Sequence, residues 1–220
     1  MVAKKADLPH GQEPTNNIWE VIYTQRAIRY WQSKKVPREL LEQVIEAGSK
    51  APSGSNLQPW IFLVIDEDDK RRAISAALRE VFEASPAKLL VEAGENSEDR
   101  TQRLMLRGAR EFFSKLEKAP ALIIPCLYKL ASPTQDPTSL LAGSSIYTAV
   151  QNIMLSARAL GLGTVMTTAQ GMIETTLREL LKIPDDAYPV AFIPIGFPEA
   201  NFGPTTRKDL DEILCWNEWS

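Results

Sequence analysis

Ala51-Pro52-Ser53-Gly54-Ser55-Asn56-Leu57-Gln58-Pro59-Trp60 is a run of turn formers that ends against an apolar segment. Small residues in succession leave backbone N–H groups uncovered, and such groups bind anions or the polar edge of a flat heterocycle. Asn56 and Gln58 add side-chain amides; read by itself, the run is also an ordinary turn. Pro59-Trp60 leads straight into Ile61-Phe62-Leu63-Val64-Ile65, a continuous apolar run of strand length. Continuity rather than alternation predicts a strand covered on both faces. Ala121-Leu122-Ile123-Ile124 and Val190-Ala191-Phe192-Ile193 have the same character, and a shorter strand is predicted around Thr164-Val165-Met166. Pro125 and Pro194 cannot donate to a ladder, so they predict bulges or strand ends.

Helices are predicted around these strands. Asn16 or Asn17 caps a first helix with Trp19, Val21 and Ile22 as its apolar positions. Pro37 opens a second, with Leu40, Leu41, Val44 and Ile45 on one face. The segments from Glu67 to Phe82 and from Asp99 to Lys118 are charged and amphipathic, hence surface helices. From Ser139 to Leu160 the only charge is Arg158. A helix apolar nearly all round is buried on nearly all sides, inside the domain or at a subunit interface. Gly161 is its stop signal. Residues 1–16 read as a flexible leader and 17–220 as one domain. Ala131 to Thr138 reads as a loop, with the position of a lid. Leu214, Trp216 and Trp219 predict a tail that packs on something.

The 220 residues are 44% hydrophobic and 24% charged, with a formal net charge of -3. That balance excludes a dedicated nucleic-acid binder. No apolar run reaches bilayer-spanning length, and the N-terminus has no apolar signal region, so no membrane partner is expected. The two cysteines, Cys126 and Cys215, form no CxxC, which fits a reducing cytoplasm. The single histidine, His10, lies in the leader. Ser-His, Cys-His and HExxH chemistry is therefore absent from the body of the chain. No catalytic acid or base stands out, and the difficult chemistry is expected to belong to a cofactor. The acidic runs Asp66 to Asp69 and Asp185-Asp186 read as solvated turns.

Three further clusters carry chemistry. Gln25-Arg26-Ala27-Ile28-Arg29-Tyr30-Trp31 places two arginines three apart near the end of the first helix, on one helical face, where they form an anion grip or a solvated basic face. Leu160-Gly161-Leu162-Gly163-Thr164 follows a helix and precedes a strand, the reverse of a dinucleotide fingerprint, and lacks the third glycine. What remains is a strand end presenting Thr167 and Thr168. Finally, Ile195-Gly196-Phe197-Pro198 is followed by Thr205-Thr206-Arg207-Lys208, two adjacent cations suited to a phosphate or to plain solvent.

As an ordered set, these clusters resemble the nitroreductase family of FMN enzymes. The carriers are Arg26 to Trp31, APSGSNLQPW at 51–60, LGLGT at 160–164 with Thr167-Thr168 beyond, and GFP followed by Arg207-Lys208. The resemblance implies an α+β fold, with a central, mostly antiparallel sheet flanked by helices, in an intertwined homodimer with FMN at the subunit interface. It implies that the 139–160 helix forms the dimer core and that the C-terminal tail wraps the partner and adds a strand. Arg26 and Arg207, assisted by Lys208, would meet the FMN phosphate. Arg29 would lie at the pyrimidine edge of the flavin. Pro52, Ser53 and Gly54 would approach the ring from the other subunit, and Asn56 would support that loop or the cofactor. Thr167 and Thr168 would lie near flavin N5 and the dimethylbenzene side. The chain departs from the pattern at Gln25, where many members have arginine, and at Ala27, where they have a phosphate-binding serine; backbone amides are the remaining contacts there.

The activity so implied is that of an NAD(P)H oxidoreductase working by ping-pong on nitroaromatics, quinones or activated alkenes, with Tyr147 and the Ala131–Leu141 loop in the acceptor pocket. Reductive dehalogenation, flavin fragmentation and a flavin-binding module without turnover are the alternatives.

Overall fold

The computed structural model describes residues 11–94, 96–130 and 136–219. In chain order the elements are α1 (Ile18–Thr24), α2 (Arg38–Ser49), β1 (Trp60–Ile65), α3 (Asp68–Glu83), α4 (Pro86–Gly94), α5 (Arg100–Lys115), β2 (Ala121–Tyr128), α6 (Leu140–Ala159), β3 (Gly163–Thr164), α7 (Glu174–Leu181), β4 (Ala187–Pro189) and β5 (Ile193–Gly196). Asn17 is the N-cap of α1: its side chain accepts from the Trp19 and Glu20 amides at 3.0 and 3.3 Å.

All strand pairs are antiparallel, in the order β1-β2-β5-β3, with β4 also on β2. Side chains of β2 alternate between two cores. Ala121 and Ile123 join Leu41, Val44, Val150, Ile153, Ile193 and Ile195 under α2 and α6. Leu122, Ile124 and Cys126 join Ile74, Leu78, Phe112, Leu177 and Phe192 under α3, α5 and α7. Helices on both faces explain why β2 reads as an unbroken apolar run. The expectation fails for β1, an edge strand in which only Ile65 is buried and Ile61 is 46% exposed.

The run Val190 to Ile193 is not one strand. β4 ends at Pro189 and β5 begins at Ile193. Cys126 pairs with Pro189 and Ile123 with Ile193, so Ile124 and Pro125 face three residues, a one-residue bulge. Pro125 has no N–H to offer, but its carbonyl accepts from the Val190 amide at 2.9 Å. Pro194 lies inside β5 opposite Leu122 rather than at a strand end. The fourth strand is Gly163–Thr164 alone.

The first helix also stops earlier than its sequence suggests. α1 ends at Thr24, and Gln25 is already extended. Arg26 and Arg29 therefore share no helical face. The competing interaction is tertiary: the Ile28 amide donates to the Thr164 carbonyl at 2.9 Å, Ala27 bridges Thr164, and Ile28 and Trp31 become buried. Residues 11–16 of the expected leader run along the body. Gly11 O accepts from Phe202 N at 3.0 Å, and Thr15 N donates to Ala159 O at 2.9 Å. Residues 1–10, with His10, lie outside the described residues.

α6 ends as predicted. Gly161 has φ +75, and the amides of Gly161 and Leu162 donate to the carbonyls of Arg158 and Ala157 at 3.0 and 2.7 Å. This is a Schellman stop, where glycine enters the left-handed region without strain. A Cβ on Gly163 would stand 2.7 Å from Ile28 Cγ2, so the second glycine admits the Ala27-Ile28 segment to the sheet edge. Both glycines thus have structural duties, and neither belongs to a dinucleotide loop.

Cys126 is buried in β2, and burial pushes its thiol up from 9.0 to about 12. The thiolate is the reactive form. Native Cys126 is therefore expected to resist iodoacetamide at pH 8 and to label only on unfolding, as read by peptide mass spectrometry. The folded value lies above the unfolded one. The neutral thiol's contribution to stability is thus intact below pH 9 and is lost as pH rises towards about 12.

Candidate active site

Two pairings join the segments that carry the basic residues. The segment after β5 runs antiparallel to the one after α1: Gln32 N donates to Phe197 O at 2.9 Å, Glu199 N to Tyr30 O at 3.1 Å, and Thr205 N to Tyr23 O at 3.1 Å. Arg207 and Lys208 thereby emerge beside the end of α1, where Arg26 begins the extended segment. The bridge from Ala27 to Thr164 adds β3 and, beyond it, the segment in which Thr167 bridges Phe192 and Thr168 follows.

Arg26 is exposed and Arg29 half-buried. Burial, and then the nearby Arg26 charge, hold the Arg29 guanidinium below its ordinary value despite the raising influence of Tyr30. Neither arginine has an ion-pair or hydrogen-bond partner among the described residues, and Arg207 donates only to the carbonyl of Thr206, at 2.8 Å. Cations without a carboxylate partner, one of them half desolvated, suit an anionic group. The Thr167 amide is committed to the Phe192 carbonyl at 3.0 Å, and the Thr167 hydroxyl accepts from Ala169 N at 3.3 Å. Thr168 is exposed and its amide has no partner among the described residues, so of these two amides it is the one open to a ligand.

The loop at 51–60 is built elsewhere. Ser55, Asn56 and Gln58 have φ of 50, 55 and 50, a tight left-handed course. Gly54 N donates to Ser145 Oγ at 3.3 Å, and Thr148 Oγ1 donates to Pro52 O at 3.3 Å. Gln58 N donates to Ser53 Oγ at 2.9 Å, and the Gln58 side chain donates to Asn56 Oδ1 at 3.3 Å. Asn56 therefore supports its own loop. Ser145 and Thr148 hold the loop; the sequence reading takes Ser145 only as a small residue and passes over Thr148, and the signal is their hydroxyls on a helix with a single charge. The loop attaches to the first half of α6, whereas Arg26 to Arg29 attach beyond its end. From Thr148 to Leu160 the helix rises roughly 18 Å. The two groups of site residues are not brought together within one chain.

Beside the loop, Leu127, Pro137, Thr138, Ser139, Leu140 and Tyr147 help line a groove of about 740 Å³. Tyr147 and the described end of the expected acceptor loop thus meet; Ala131 to Gln135 lie outside the described residues. The acidic run at Asp66 is a surface network. Arg38 at 2.6 Å holds the Asp66 carboxyl below its ordinary value, and Lys70, Arg71 and Arg72 pair with Glu67, Asp68 and Asp69. No group of His, Cys, Asp and Glu among the described residues could hold a metal. No helix there is long and apolar enough to cross a membrane.

The model of the Nitroreductase family matches residues 22–197. The chain belongs to this family. It is accordingly an FMN-dependent oxidoreductase, as the motifs implied. A Methanothermobacter thermautotrophicus protein named as an NADH dehydrogenase or NAD(P)H nitroreductase is 28% identical over 205 residues, covering 92% of this chain and 88% of its own. Mouse iodotyrosine deiodinase 1 is 27% identical over 204 residues, 91% of this chain and 69% of its own. The fold matches that of oxidized iodotyrosine deiodinase bound to FMN and 3-iodo-L-tyrosine. The TM-score is 0.70 at 22% identity, covering 92% of this chain and 100% of that one.

Proposed function

We propose that the protein is a homodimeric NAD(P)H oxidoreductase that holds FMN between its subunits and reduces flat, electron-poor acceptors. The observation that carries this reading is the set of unneutralised cations Arg26, Arg29 and Arg207 at the edge of a nitroreductase-fold sheet. FMN, when bound, accepts a hydride from NAD(P)H and passes electrons on to the acceptor. Arg26 and Arg207, with Lys208, hold the phosphate by charge-assisted hydrogen bonds. Arg29, partly stripped of water, presents a fixed positive charge to the pyrimidine edge, where it attracts negative charge more strongly than a solvated group does. The hydroxyl of Thr167 and the uncommitted amide of Thr168 would serve the flavin edge away from Arg29. Gln25 closes α1 through its backbone, and neither it nor Ala27 adds a charge.

The second subunit enters for a geometric reason. The Pro52-Ser53-Gly54 loop stands too far along α6 from Arg29 for both to reach one ring edge in a single chain. Apolar surface supports the same reading. Leu140, Leu141 and Tyr147 are exposed on α6, and Trp216 and Trp219 of the tail are 77% and 95% exposed in the single chain. β1 is a sheet edge, flanked by a cavity of about 530 Å³ lined by Leu41, Ile45 and Val64, that a partner's tail can cover.

The test is the absorption spectrum and light-scattering mass of the purified protein, followed by anaerobic stopped-flow mixing with NADH and NADPH. A yellow dimer whose colour bleaches is expected. Reoxidation is then read with a nitroaromatic, a quinone, an activated alkene and 3-iodotyrosine, the last because of the deiodinase relative. A colourless protein that takes up no added FMN would overturn the reading, and a flavin that stays yellow would mark a binding module.

A further inference from the structure

Helix α5 rests directly on the arginine segment. A Cβ built on Gly108 would stand 3.3 Å from Cζ and Nη1 of Arg29 and 3.4 Å from its Nε. The two shorter separations are tighter than ordinary van der Waals contact, so a side chain here would push the guanidinium aside by a few tenths of an ångström. The contact extends to the next residue, because Lys115 Nζ, paired with Glu111, stands 5.2 Å from the centre of the Tyr30 ring. Nor is α5 free to withdraw. Phe112 is buried, and Phe113 stacks on Phe82 of α3 with ring centres 4.1 Å apart.

Glycine is costly where it stands. α5 runs from Arg100 to Lys115, and glycine inside a helix is less favourable than alanine. The same missing side chain brings helix backbone against a guanidinium that no carboxylate fixes. We propose that Gly108 is a positioning residue, which sets the place and orientation of Arg29 against the flavin by letting α5 press on it. The inference rests on the FMN reading of Arg29. It adds that α5, a surface helix, tunes the flavin through its contact with Arg29. The half-desolvation of Arg29 agrees with such a covering helix.

The experiment compares wild type, Gly108→Ala, Arg29→Ala and the double variant. Three quantities are read: melting temperature of the apoprotein, FMN affinity by quenching of flavin fluorescence, and midpoint potential of the bound flavin. Gly108→Ala should leave the apoprotein melting temperature unchanged or raised, because alanine favours the helix. It should weaken FMN about tenfold, as expected when one charged hydrogen bond is misaligned, and make the flavin harder to reduce. In the Arg29→Ala background it should change neither quantity further. Wild-type affinity and potential in Gly108→Ala would overturn the inference. So would an equal loss with Arg29 absent, or a lowered apoprotein melting temperature. The wild-type titration separates the two readings: no FMN uptake there overturns the proposed function, whereas normal uptake with an indifferent Gly108→Ala overturns this inference alone.

Discussion

Replacing Arg26 and Arg207 together with alanine should weaken FMN binding by about a hundredfold or more while leaving riboflavin binding nearly unchanged. Hydrogen bonds to charged groups contribute about 1.5–3 kcal/mol each. Both side chains are exposed, which places the pair at the lower end of that range through solvent screening. They come from distant parts of the chain, and the segments that carry them are joined where Thr205 N donates to Tyr23 O at 3.1 Å. Riboflavin lacks the phosphate, so it reports any damage to the ring-binding half of the site. Arg29→Ala should behave in the opposite way and weaken both ligands alike. Added salt should weaken FMN in the wild type and have little further effect in the double variant. Fluorescence-quenching titrations of both ligands decide the matter; equal losses for FMN and riboflavin on removing Arg26 and Arg207 would show that the phosphate lies elsewhere.

Sequence patterns carried the parts of the fold that local physics controls. β2 was legible because both its faces are covered, which leaves no polar alternation to obscure it; β1 reads the same way, yet as an edge strand it buries only Ile65. The stop of α6 was legible because Gly161 alone supplies the positive φ it needs. What sequence could not show was decided across the sheet. The break at Val190 answers to Pro125 on the neighbouring strand, and the end of α1 answers to the Thr164 carbonyl that Ile28 takes. Arg26 and Arg29 read as helical because nothing near them says otherwise. The site followed the same division. Its residue types were legible as motifs, but the attachment of the 52–54 loop to Ser145 and Thr148 was not, and that attachment separates the loop from the arginines within one chain.

The largest stability effect is expected at the one charge of α6. Arg158 is 1% exposed, and Phe202 lies 4.2 Å from its guanidinium carbon. Its Nε donates to Thr24 Oγ1 at 2.8 Å, Nη1 to Glu13 O at 3.0 Å and Nη2 to Glu20 Oε1 at 2.9 Å. One planar fork thus joins α6 to α1, to residues 11–16 and to the segment that leads towards Arg207. Arg158→Met should cost about 3 kcal/mol in urea unfolding, because it leaves the Glu20 carboxylate, whose side chain is only 15% exposed, without its countercharge. Glu20 keeps its bond from Thr15 Oγ1 at 2.9 Å, which softens the loss without cancelling it. Arg158→Lys should recover little, since a point charge cannot serve three directions at once. The double variant Arg158→Met with Glu20→Gln should be more stable than Arg158→Met alone, because the cost lies in the stranded charge rather than in the missing attraction. If the two changes simply add, the Glu20 carboxylate finds other company, and the pair is not what locks α1 to α6. Where the lock does hold, FMN affinity should fall with it in Arg158→Met, since Thr24 and Phe202 fix the two segments from which Arg26 and Arg207 emerge.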